Sequence, residues 1–146
     1  MKAFSLVALV AGTWLTSAAN TCRGAANDEL QGVWVATSAE LNGEPVPAKE
    51  VERTRFTFKG EKVLIRPTKD KDKADEEGTY KADSKKSPKQ LDITIKNKTV
   101  HGIYKVKGDE LTVCYETGEK RENRPTKFAT NKEEELVLIV FKRQKP

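Results

Sequence analysis

The chain has 146 residues, about one domain's worth, and 27 basic against 22 acidic residues give it a net charge of +5. The charges are interspersed rather than gathered by sign, which argues against nucleic-acid binding and implies at most a slight attraction to an acidic polymer. One histidine and two cysteines supply neither a His-rich nor a C-x-x-C spacing for zinc, and no candidate base stands near a nucleophile.

In chain order, Met1-Lys2 is a short positive start, Ala3 to Leu15 is an apolar run, and Ser17-Ala18-Ala19 presents small residues where a signal peptidase cuts. Residues 1–19 therefore read as a secretory signal peptide, with a rival cut after Ala26. The run is too short and wrongly flanked for a transmembrane segment. The chain is expected to be exported, periplasmic or extracellular. Cys22 fits a lipid anchor poorly, because Ala19-Asn20-Thr21 lacks the small residue expected just before the cysteine. After a cut at Ala19, Cys22 and Cys114 both remain in an oxidising compartment where a disulfide persists. After a cut at Ala26, Cys114 is alone, and its other reading is a small buried hydrophobe.

Residues 20–29 form a lead-in, and from Leu30 to the end one domain is expected, 30–146. Helical periodicity is almost absent there, while period-two alternation recurs at short intervals. Leu30 to Leu41 reads as a strand, closed by Asn42-Gly43, two residues that tolerate the positive φ of a tight hairpin. Pro45-Val46-Pro47 interrupts, and Ala48 to Arg53 has room for one helical turn. Thr54 to Lys59 alternates Phe56 and Phe58 with polar neighbours, turns at Gly60-Glu61, and returns as Lys62 to Arg66. Lys69 to Glu77 alternates sign almost residue by residue and reads as a solvated loop. Strands are then expected over Gly78 to Asp83, Leu91 to Ile95, Thr99 to Lys107, Leu111 to Glu116 and Leu136 to Arg143, with turns at Asn97-Lys98 and Gly108-Asp109 and a polar loop over Gly118 to Arg124. Asn97-Lys98-Thr99 matches a glycosylation sequon but serves as well as a turn.

About eight strands joined mainly by short turns make an antiparallel meander. Such a sheet hides its edges most economically by closing into a barrel, whose interior is filled by side chains or holds one small ligand. A β-sandwich and a half-open barrel are the alternatives. Charges assign the faces. Lys105 and Lys107 outward put Val100, Gly102, Tyr104 and Val106 inward, with His101 outward. Leu111, Val113 and Tyr115 face in, leaving Thr112 and Cys114 outside. Lys142 outward puts Val137, Ile139, Phe141 and Arg143 inward. Leu136, Leu138 and Val140 then lie outside, with the segment before Leu30 as their expected cover.

Gly32-Val33-Trp34 at the first strand, together with Lys142-Arg143 at the end of the last, resembles the lipocalin-like pattern. The resemblance implies that Trp34 plugs the closed base of the barrel and that Arg143 lies across its ring, a cation–π contact worth ~0.5–2 kcal/mol. Gly32 is expected to let another backbone approach beside the indole. A closer resemblance spans nearly the whole mature chain. "LQGVWVATSAELNGEPVP", "FTFKGEKV", "EEGTYKAD", "HGIYKVKGDELTVCY", "RPTKF" and "LVLIVFKR" are similar to landmarks of a family of small exported proteins abundant in planctomycete bacteria. That resemblance implies the fold and no activity; the Lys69 to Glu77 loop is more charge-dense than the family pattern.

No glycine loop opens a helix to cradle phosphate, and the carboxylates sit in turns and loops, so neither catalytic nor cofactor residues are assigned and no enzyme is expected. Two functions compete. One is a barrel that binds a small amphipathic ligand among Phe56, Phe58, Tyr80, Tyr104 and Tyr115. The other is an envelope interaction or inhibitor module that uses outer loops around a filled core. For the first, the mouth is expected opposite Trp34, where loops at Gly60-Glu61, Lys85-Lys86 and Gly118-Glu119-Lys120 would gather under a rim of Lys85, Lys86, Lys120 and Arg121.

Overall fold

The computed structural model describes residues 28–66, 74–118 and 123–145. Among them, nine strands form one antiparallel sheet: β1 (Gly32–Leu41), β2 (Glu44–Pro45), β3 (Arg55–Lys59), β4 (Lys62–Arg66), β5 (Glu76–Asp83), β6 (Lys89–Ile95), β7 (Lys98–Lys107), β8 (Glu110–Glu116) and β9 (Leu136–Arg143). The two-residue β2 is hairpinned onto the end of β1. The other eight pair in chain order, and β9 returns to β1, so they close a barrel without a free edge. A helical turn, α1 (Ala48–Val51), follows β2, and a 3-10 turn over Asp28–Leu30 precedes β1.

The strands form where small or branched apolar residues alternate with polar ones, and the hairpin turns fall at Asn42-Gly43, Gly60-Glu61, Lys96-Asn97 and Gly108-Asp109. Asn42 and Gly43 both have positive φ, 53° and 78°, as the two-residue hairpin requires. The same geometry recurs at Lys96 and Asn97, so the turn begins one residue before the expected Asn97-Lys98-Thr99. Six strands start one or two residues away from the sequence reading, and for β1 and β5 the cause is visible. β1 starts at Gly32 rather than Leu30, because Leu30 ends the 3-10 turn and its carbonyl is taken by Trp34 Nε1 at 2.8 Å. β5 begins at Glu76 rather than Gly78, because Glu76 and Glu77 find ladder partners in Ile65 and Leu64, and the Glu77 carboxylate meets Lys62 Nζ at 2.8 Å.

The closing seam is irregular. The register between β1 and β9 shifts between Ala36 and Ser38, and the Thr37 hydroxyl donates to the Val140 carbonyl at 3.2 Å. Such a bulge bends the strand and increases its twist, which an eight-stranded closure needs.

Alternation then sorts the faces. Tyr104, Leu111, Val113, Val137, Ile139 and Phe141 join the inner core, with Val106 and Tyr115 packed against it. Ile103 and Cys114, paired across β7 and β8, are buried on the outer face instead. Their cover is the segment 123–135. Arg124 Nη1 donates to the Gly102 carbonyl at 2.7 Å, Pro125 is buried, and Phe128 carries Lys105 Nζ 4.8 Å from its ring centroid. The sequence reading looked to the segment before Leu30 to cover Leu136, Leu138 and Val140; residues 1–27 lie outside the described residues.

Meander parity sends alternate turns to opposite ends. One end, the base, holds Gly32, the Gly60-Glu61 turn, the β5–β6 connection, the Gly108-Asp109 turn and Arg143. The other holds Asn42-Gly43, α1, the Lys96-Asn97 turn and the start of the long connection after β8.

Candidate functional site

The base is densely bonded. Three successive carbonyls of the lead-in accept from side chains below the barrel: Glu29 from Arg143 Nη2 at 2.9 Å, Leu30 from Trp34 Nε1 at 2.8 Å, and Gln31 from Arg143 Nη1 at 2.6 Å. The Arg143 guanidinium lies 4.2 Å from the Trp34 ring centroid, and Trp34 is fully buried. Gly32 has a φ of +119°, a conformation that strains any side-chain-bearing residue, and a Cβ there would meet Arg143 Nη1 at 3.4 Å. Backbone conformation therefore accounts for Gly32, rather than the close backbone approach expected from the sequence.

The Gln31 amide clamps the β3–β4 turn, accepting from Gly60 N at 2.8 Å and donating to the Gly60 carbonyl at 3.0 Å and to the Tyr80 hydroxyl at 2.7 Å. The Tyr104 hydroxyl donates to Glu29 Oε1 at 2.9 Å, and Lys89 Nζ lies 2.9 Å from both oxygens of that carboxylate. Burial, then the hydrogen bond to Glu29 and its charge, push the Tyr104 hydroxyl above the ordinary phenol range.

This geometry divides the five aromatics expected to line one ligand site. Phe58, Tyr80 and Tyr104 pack into the filled lower half and line neither of the two cavities of the upper half; Phe58 and Tyr80 meet edge to face at 4.8 Å. Phe56 and Tyr115 alone belong to the hollow upper half. The expected mouth is also corrected: Gly60-Glu61 and Lys85-Lys86 lie at the Trp34 end, since β3 and β5 both run toward it. Of the third loop only Gly118 lies among the described residues, at the opposite end; Lys120 and Arg121 lie outside them.

The upper half holds two adjoining cavities that share Phe56, Ile65 and Tyr115 as a common wall. The first, about 360 Å³, is lined by Leu91, Ile93, Ile95, Val100, Gly102 and Val113, and reaches the surface beside Glu76, Lys96 and Lys98. The second, about 400 Å³, runs under β2 and α1, past Leu41, Val46, Thr54 and Ile139, and ends beside Glu44 and Glu50. Gly102 keeps the first cavity open by more than its missing side chain. A Cβ there would lie 2.8 Å from the Cys114 carbonyl oxygen, so β7 and β8 approach too closely for any larger residue.

On the outer face, Arg124 Nη2 lies 2.6 Å from Asp92 Oδ1, and His101 Nδ1 lies 2.9 Å from the same oxygen. His101 is thus half-buried in a polar clasp rather than a bare strand residue. Cys114 carries a free, buried thiol 3.9 Å from the Ala129 carbonyl, and burial pushes its pKa from its ordinary value near 9 to about 11. Cys22 lies outside the described residues.

No family model, curated protein or solved structure matches the chain. The site must therefore be read from its own chemistry. Among the described residues, no group of three or more His, Cys, Asp or Glu is placed to hold a metal ion, and no helix is long and apolar enough to cross a membrane. What the upper half offers is apolar enclosure with a few charges at its edge.

Several contributors carry no strong local signal in the sequence. Glu29, Gln31 and Arg124 act through loops, where no periodicity announces a direction. Lys98 is different: once Val100 and Gly102 are assigned inward, alternation assigns Lys98 to the same face.

Proposed function

We propose that this chain is an exported, non-enzymatic barrel protein that binds one small, mainly apolar ligand in the hollow half of the barrel. The observation that carries the reading is the division of the interior. The lower half is filled by Trp34, Phe58, Tyr80, Tyr104 and Phe141, whereas the upper half keeps cavities of about 360 and 400 Å³ walled by aliphatic and aromatic side chains. Those volumes fall within the ~300–1,000 Å³ typical of small-molecule pockets. The guanidinium over the Trp34 ring supports the lipocalin-like reading of the base, and the sequence landmarks support membership of the planctomycete family.

The test uses N-phenyl-1-naphthylamine, a neutral apolar fluorophore. The parent protein is expected to bind it saturably with one-to-one stoichiometry. Val100→Phe, which places a ring in the first cavity, is expected to weaken binding at least tenfold while leaving the far-ultraviolet dichroism unchanged. Absence of saturable binding to the folded parent would overturn the ligand reading in favour of an interaction module acting through the outer loops.

A further inference from the structure

The two cavities end in lips of opposite charge. Beside the second stand Glu44 and Glu50, and Lys132 Nζ lies 3.9 Å from the Glu44 carboxylate. Beside the first stand Glu76, Lys96 and Lys98. Lys96 Nζ lies 3.1 Å from Glu76 Oε1, so those two charges answer each other. The Lys98 side chain makes no hydrogen bond or ion pair among the described residues. It directly follows the Lys96-Asn97 turn, pairs with Ile95, and shares the inward face of β7 with Val100 and Gly102. Among the described residues, its ammonium is therefore the one uncompensated charge at the edge of this apolar chamber.

The chamber's depth is set by the same strand. From Lys98 to Gly102 is four residues, about 13 Å at the usual strand rise, and Tyr104, next on that face, belongs to the filled base. A tail of about ten carbons suits that depth.

Building on the ligand-binding reading above, we propose that the ligand of the first cavity is a single-tailed amphiphile with an anionic head, the head seated on the Lys98 ammonium and the tail running down β7 toward Gly102. A lysine suits this position because it is a compact point charge on a long apolar stem: the stem lies along the cavity wall while the ammonium stays at the edge. The acidic lip of the second cavity disfavours the reverse placement, with the anionic head beside Glu44 and Glu50.

Calorimetric titration of the full mature chain with decanoate, 1-decanol and decyltrimethylammonium, which share a tail and differ in the head, tests this at low ionic strength. Decanoate is expected to bind three- to tenfold more tightly than 1-decanol, the trimethylammonium probe more weakly than both, and added salt to remove the difference. Lys98→Gln should abolish the preference for decanoate with 1-decanol affinity unchanged, and Lys98→Arg should restore it. Equal binding of all three probes, or a preference that survives Lys98→Gln, would overturn the anionic-head proposal and leave the ligand-binding reading standing. Tightest binding of the cationic probe would overturn it in favour of the Glu44 and Glu50 lip. No binding of any probe by the folded parent would overturn both.

Discussion

Trp34 and Arg143 show how much one end of the barrel rests on two side chains. The indole fills the space where strands converge, and its Nε1 satisfies the Leu30 carbonyl; the guanidinium covers the ring and satisfies the carbonyls on either side, Glu29 and Gln31. Truncation to Trp34→Ala is expected to cost ~3–5 kcal/mol, the usual range for deleting a buried large aromatic. Arg143→Ala should cost ~2–3 kcal/mol, from two lost bonds to carbonyls and the cation–π contact. Arg143→Lys should recover only part of that, because one ammonium does not reproduce the planar fork that spans both carbonyls. Urea unfolding midpoints check the order; a Trp34→Ala protein as stable as its parent would contradict the closed base. These two residues could be picked out from the sequence because an aromatic at one terminal strand and an arginine at the other occupy fixed positions in the meander. Glu29 and Gln31 could not, since their roles depend on a 3-10 turn that no alternation pattern foretells.

At the scale of elements, the connection from β8 to β9 is a working part of the fold. The segment 123–135 lies across β7 and β8 and buries Ile103 and Cys114, so the outer face there is a small second core. Arg124 fastens it, bonded to the Gly102 carbonyl and to Asp92. Arg124→Ala is expected to destabilise by ~1–3 kcal/mol, as for lost bonds to a charged partner. It should also speed the reaction of Cys114 with 5,5′-dithiobis(2-nitrobenzoate) at pH 8 at least tenfold, because the thiol's cover loosens; an unchanged rate would show that Arg124 does not hold the cover. In the parent the same burial is expected to make the reaction slow. The thiol pKa is about 11 in the folded protein against about 9 ordinarily, so the folded state holds its proton more tightly. Below about pH 9 this has no effect on stability, and stability is then lost as pH rises through the window from about 9 to 11. Cys114→Ala should remove that loss from the pH profile of the unfolding midpoint. Alternation told that Cys114 faces outward and therefore needs a cover. It did not tell which segment supplies it, because a polar loop can lie over any neighbouring face.

For the whole molecule, the eight barrel strands and their order were legible in the spacing of turn residues and in the absence of helical periodicity. Closure stood beside a sandwich and a half-open barrel as alternatives, and the two-residue β2 falls where Pro45-Val46-Pro47 reads as an interruption. Which turn stands at which end was legible too, by counting strands: β1 runs away from the base, β3 returns to it, and Gly60-Glu61 must lie beside Trp34. What alternation alone does not tell is how far along the barrel each inward side chain sits. That height depends on strand stagger and on the bulge at Ala36 to Ser38, so five inward aromatics looked like one ring when three of them fill the base. The resulting asymmetry, a filled lower half under a hollow upper half, makes an opposite pair of substitutions the decisive comparison. Val63 is fully buried opposite Phe58 in the base, while Val100 lines the first cavity. Val63→Phe forces a ring into close-packed space and is expected to cost ~1–3 kcal/mol, as overpacking does. Val100→Phe makes the same chemical change into open volume, where the added apolar contact offsets the lost rotamer freedom, and is expected to shift stability by less than ~1 kcal/mol in either direction. Urea unfolding of the two variants side by side measures the difference. Equal destabilisation would mean that the upper half packs as tightly as the base, and a ligand would then have no room in the barrel.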